Sequence, residues 1–315
     1  MSFRIHPERS TKAQVRRVAL EQLDRAASEL AARDRDLHES IHQVRKRCKK
    51  LRALLRLCRG VIGKRYQREN ARYRDAARRL SGLRDAEALT ETYDRLLDRY
   101  DGPLDRAKFA PIRRRFTLDK QRRARERTNL GEEMDAFAAA LGKGRVAVDR
   151  WAGKVKGWDD LLPGIAKTYR RGRKAMRAAA GKPSTECFHE WRKRTKYFAH
   201  QLKLLEDLWR PVLQAQRKEA KRLADLLGRE HDLGVMETCL ATDFADYGSP
   251  DVLRVLNGLI HEQREALRRE AFDLGARIFA EKPSALVLRL EAFSRARRAA
   301  QSARTDGFKR EPRHS

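Results

Sequence analysis

At 315 residues the chain has room for one large or two ordinary domains, and no run of about 18 apolar residues occurs that could cross a membrane. Its formal net charge of +29 predicts attraction to a polyanion or an anionic surface. The first residues, MSFRIHPERSTK, contain no apolar core of a secretion signal, and the four cysteines show no CxxC spacing, so a disulfide scaffold is excluded and a cytoplasmic protein is expected.

Ser10 and Thr11 can cap a first helix reaching about Ala32, with Val15, Val18, Leu23, Ala26 and Leu30 on its apolar face and Lys12, Arg16 and Arg17 off it. Asp36 and Glu39 have capping-box spacing and open a second helix that ends near Gly60 and Gly63. Its apolar stripe includes Cys48 and Cys58, read as buried small hydrophobes. An arginine-rich segment runs to Leu80, breaks at Ser81 and Gly82, and resumes as far as Tyr100, before Asp101, Gly102 and Pro103. Another helical pattern spans Leu104 to Leu141. Glycines at 142, 144, 153 and 157 then thin the signal, so 145–162 is read as a linker between a first unit, 10–144, and a second, 163–298.

In the second unit Pro163 opens a helix carrying Arg170, Arg173, Lys174 and Arg177, and Pro183 with Ser184 suits the entrance of the next. Pro211, the pair Ser249 and Pro250, and Pro283 mark three further helix starts; 299–315 reads as a disordered basic tail. No segment shows an alternating β-branched run. The expected fold is all-α, a tandem repeat of two antiparallel four-helix bundles with a central basic cleft.

The repeat is carried by one motif. HxxRKRxK occurs at His42, Arg45, Lys46, Arg47 and Lys49 and again, 147 residues later, at His189, Arg192, Lys193, Arg194 and Lys196. Leu80 and Asp85 map by the same shift onto Leu227 and Asp232. In each copy the histidine and three cations lie at i, i+3, i+4 and i+7, one helix face, where they repel each other unless an anion relieves them. If the two bundles turn these faces together, they form a groove narrow enough for a single unbranched phosphate chain and too narrow for duplex nucleic acid. Arginine outnumbers lysine 53 to 20, which suits forked recognition of phosphate oxygens, although an arginine-rich genome gives the same bias.

With HxxRKRxK and the downstream LRD and HD positions, the sequence resembles the CHAD domain family over roughly Ser10 to Arg298. The resemblance implies two repeated helical bundles and a basic pocket that binds inorganic polyphosphate without catalysis. The residues it implicates are His42, Arg45, Lys46 and Lys49, then His189, Arg192, Lys193 and Lys196, and Arg170, Arg173 and Lys174. His231, where the first copy has Arg84, and Arg16 are added as candidates. The resemblance leaves the basic segment Arg113 to Arg127 without a role, and it makes residence on polyphosphate granules an expectation. Neighbouring cations disfavour histidine protonation and a bound polyanion favours it, so binding is expected to tighten as pH falls from about 8 to about 6.

Two other readings compete. Trp191, Tyr197, Tyr66 and Tyr73 lie among basic residues as base-stacking platforms would, which makes nucleic acid the second choice of partner. His38, Glu39 and His42 spell HExxH, the pattern of a zinc hydrolase, but Glu39 has a capping role, the second copy lacks the first histidine, and Arg45 and Lys46 would repel the ion. No metal and no cofactor are therefore expected.

Overall fold

The computed structural model describes residues 3–32, 36–80, 82–100, 104–126, 129–242 and 247–308, with the backbone alone at 38, 82–86, 123, 124 and 301–308. Among them the chain forms eleven α-helices and no strand: α1 Thr11–Ala31, α2 Leu37–Ile62, α3 Arg65–Arg79, α4 Gly82–Arg99, α5 Arg106–Arg125, α6 Leu130–Ala152, α7 Leu162–Gly181, α8 Thr185–Leu205, α9 Arg210–Thr242, α10 Pro250–Ile278 and α11 Pro283–Phe308. Three of the starts are set by serine caps, Ser10, Ser184 and Ser249, whose hydroxyls accept from the amides of Ala13, Cys187 and Val252. None of the described helices is long and apolar enough to cross a membrane.

Helices α1, α2, α3 and α6 form a ring of neighbours in the first half, and α7 to α10 form a layer in which each packs on the next. Two expectations change. The stretch read as a linker from 145 is helical to Ala152, because Phe137, Leu141, Val148 and Trp151 recur at helical spacing and are buried. Gly144, just before it, serves packing: a Cβ there would collide with the Tyr73 ring of α3. The second change concerns α4 and α5, which leave the first half and lie, through α4, against α9. Two consecutive closed bundles do not describe this packing. At the far end α11 keeps its helical backbone to Phe308, beyond Ala299, where the sequence suggested that order ends. The remainder of that tail, 309–315, lies outside the described residues, as do 101–103.

The two halves meet chiefly where α2 packs on α7 and α8. Gly164 permits this closeness, since a Cβ there would collide with the Leu57 backbone carbonyl of α2, and Arg59 of α2 donates to the Gly164 carbonyl oxygen at 3.2 Å. Behind α8 an aromatic cluster of Phe188, Trp191, Phe198, Tyr169 and Phe279 is fully or almost fully buried. At about 1.5 to 3 kcal/mol for each large apolar side chain removed from water, it holds α8 in a fixed rotation. That rotation sets which side chains α8 turns towards α2.

Candidate functional site

Along α2, Ile41, Val44, Cys48, Leu51, Leu55 and Cys58 are buried, which leaves Arg45, Lys49 and Arg52 on the flank next to α8. On α8 the buried positions Phe188, Trp191, Thr195, Phe198 and Leu202 place His189, Arg192, Lys193, Lys196 and His200 on the facing flank. These flanks line one cleft of about 550 Å³, closed on its other sides by Ala88 and Leu89 of α4 and by His231, Asp232 and Val235 of α9. Among the described residues, six with a guanidinium or ammonium group and one with a carboxylate, Asp232, line this space. A groove of about 860 Å³ continues it past Leu89, His189 and Val235 towards Glu186, Glu190 and Thr242.

The α2–α8 wall is held by polar contacts as well as packing. Tyr197 is almost wholly buried, with the Arg56 guanidinium 3.8 Å and the Arg52 guanidinium 5.6 Å from its ring centre. Asn70 of α3 accepts from Arg56 at 2.7 Å and from Arg52 at 3.2 Å, and Gln201 donates to the Ala53 carbonyl oxygen at 3.3 Å. Opposite, Arg192 lies against α9 where Gly228 has no Cβ to exclude its guanidinium, 3.5 Å from the Asp232 carboxylate. Lys193 pairs with Glu190, which also takes Arg194.

The histidines are kept neutral. His189 and His231 stack with ring centres 4.6 Å apart, and the buried Nδ1 of His231 has no hydrogen-bond partner among the described residues. Burial first, then His189, Arg192, Arg264 and Lys196, pushes His231 down to about 4. His189 is lowered by burial, Lys193 and Arg192, against Glu190. His200, edge-on to Phe3, is pushed down to about 3 by burial and then Lys50 and Lys196. Lys50 itself falls to about 8, through burial and the charges of Arg47, Lys46 and Arg25. Burial is the first cause in each case, and the neighbouring cations lower the imidazoles further.

Of the thirteen residues singled out from the sequence, seven line the cleft: Arg45, Lys49, His189, Arg192, Lys193, Lys196 and His231. Six do not. His42 shares the Lys49 face but lies two turns nearer the start of α2, outside the cleft lining, and Lys46 is exposed. Arg16 is bound to Asp149 of α6. Arg170 and Lys174 are exposed on α7, and Arg173 donates to the Glu281 carbonyl oxygen at 2.9 Å, because α7 spends its other face on α8 and α11. Arg52, Tyr197 and His200 were missed, although Arg52 continues the i, i+4, i+7 series from Arg45.

The stacking platforms required by a nucleic-acid reading are absent from this surface. Trp191 and Tyr73 are buried in the core, Tyr197 is covered by Arg56, and Tyr66 packs against core residues. As for HExxH, the His38 side chain and that of Arg84 lie outside the described residues; among those described, no three His, Cys, Asp or Glu side chains gather as metal ligands would. The cysteines are free, with Cys48 and Cys58 buried.

Fold and cleft together define an all-helical protein built around a cationic groove between helices contributed by both halves of the chain. The family model described as the CHAD domain matches residues 15–241, and the chain belongs to that family. The match runs from α1 to the end of α9 and leaves α10 and α11 beyond it, shorter than the resemblance read from the motifs. No curated protein matches the chain.

Proposed function

We propose that the cleft binds inorganic polyphosphate, without making or breaking a bond. The observation that carries this reading is the joint lining: Arg45, Lys49 and Arg52 from α2 face Arg192, Lys193 and Lys196 from α8, with Asp232 as the one carboxylate among the described lining residues. A linear phosphate chain offers regularly spaced oxygens to such opposed rows, and each charge-assisted hydrogen bond contributes about 1.5 to 3 kcal/mol. The two halves would act as related repeats, each supplying one basic helix. Membership of the CHAD family is consistent with this substrate class. In cytoplasm containing polyphosphate granules, the same affinity would bring the protein to them.

Affinity should fall steeply with ionic strength, as it does whenever several phosphate contacts release counterions. The test is a competition titration in which labelled polyphosphate is displaced by unlabelled polyphosphate or by duplex DNA at equal charge. Polyphosphate is expected to compete at least about tenfold better, a difference of about 1.4 kcal/mol. Equal competition by DNA would replace this reading with general polyanion binding on the outer surface.

A further inference from the structure

Arg229 and Leu233 lie on the face of α9 opposite His231 and Val235, and there they line a second, smaller cavity. Its volume is about 110 Å³, against about 550 Å³ for the cleft. Three helices build it on one plan, a polar residue with a leucine beside it: Arg95 and Arg99 with Leu96 on α4, Arg229 with Leu233 on α9, and Gln263 with Leu267 on α10. The three leucines are buried. Among the described residues Arg95 and Arg229 have no carboxylate partner, while Arg99 reaches the Tyr100 hydroxyl, which Glu262 also holds. Gln263 is only 9% exposed, and its Oε1 is buried without a hydrogen-bond partner. The three arginines are exposed at the cavity's mouth, so Gln263 is the unsatisfied buried polar group of its lining.

We infer that this cavity is a separate binding site for one tetrahedral oxyanion of the phosphate type, which ties α4 to α9 and α10. A dianion would accept forked bonds from Arg95, Arg99 and Arg229. A half-turn of the Gln263 amide would present its NH2 to the same anion. The leucine floor keeps water from one side, which strengthens each of these bonds. The size admits one such group and not a chain of them. Helix α10 lies beyond the family match, so the site is not simply a part of the cleft, and it does not depend on what the cleft binds.

Calorimetric titration of the full chain with inorganic phosphate, and with sulfate as a second arm, tests the site. Wild type and the cleft variant R192Q/K196Q are expected to bind one phosphate per chain with equal affinity, whereas R95Q/R229Q should bind at least about tenfold more weakly. Q263E, whose carboxylate stands in for the ligand, should lose phosphate binding and melt above wild type. Sulfate binding as strongly as phosphate would identify the ligand class as oxyanions in general. The inference is overturned if wild type binds no phosphate, if R95Q/R229Q binds it unchanged, or if R192Q/K196Q loses it instead. Loss of polyphosphate binding by the cleft variant alone would leave this site intact.

Discussion

Replacing His231 by glutamine reads the electrostatics of the cleft through proton binding. In the fold the imidazole is pushed down to about 4, first by burial and then by His189, Arg192, Arg264 and Lys196. In the unfolded chain it titrates near the ordinary value of about 6.5. Between those values the unfolded state binds the extra proton, so the contribution of His231 to stability is complete above about 6.5 and is lost as pH falls towards 4. At about 1.4 kcal/mol per pH unit the gap corresponds to about 3 kcal/mol. The ring borders an open cleft where water screens part of this, leaving on the order of 1 to 2 kcal/mol.

Urea denaturation without added anion, at about pH 7.5 and about pH 4.5, should show wild type losing on the order of 1 to 2 kcal/mol more than H231Q. His200 contributes to both proteins and cancels in the difference, whereas His189, in ring contact with His231, cancels only in part. Equal losses would refute the reasoning. Bound polyphosphate reverses the sign, because it favours the imidazolium. Affinity should then rise as pH falls, in a window below about 6.5 and not between about 8 and 6, since the free imidazoles already titrate low.

Glu230 is fully buried on α9, next to His231, and accepts from Arg264 at 2.8 Å and Arg268 at 2.9 Å. Its replacement by glutamine removes the carboxylate shared by buried Arg264 and half-buried Arg268 and should cost about 3 kcal/mol in urea denaturation; a loss under about 1 kcal/mol would mean that their other partners, Glu237 and Glu265, suffice. Gly164→Ala forces α7 away from the Leu57 carbonyl and should lower stability by about 1 to 3 kcal/mol, seen calorimetrically as a fall of several degrees in Tm. An unchanged Tm would remove the close α2–α7 contact from the account.

Helix starts were legible because their chemistry is local: Ser10, Ser184 and Ser249 each cap the helix that follows within three residues. Gly144 misled because low helix propensity and close packing look alike in sequence; only the Tyr73 ring on another helix distinguishes them. The swing of α4 and α5 onto α9 has no local signature, since Leu89 and Leu96 would suit any apolar neighbour. Within the cleft, the cationic series on α2 and α8 was readable from spacing. Which members line the cleft was not: Arg45, Lys49 and Arg52 do, whereas His42, on the face of Lys49, lies two turns before it along α2 and Lys46 is exposed. The depressed histidines follow from burial, which no spacing reveals.

Affinity measured on three variants tests whether helices from both halves grip one ligand. These are R45Q/K49Q on α2, R192Q/K196Q on α8 and the fourfold combination, each titrated with medium-length polyphosphate at fixed salt. Each pair should weaken binding by at least about tenfold, since two charge-assisted contacts worth about 1.5 to 3 kcal/mol apiece are lost against partial compensation by the remaining cations. The fourfold variant should bind more weakly than either pair. If either pair alone leaves polyphosphate affinity unchanged while the protein stays folded, the shared cleft is not where the chain binds.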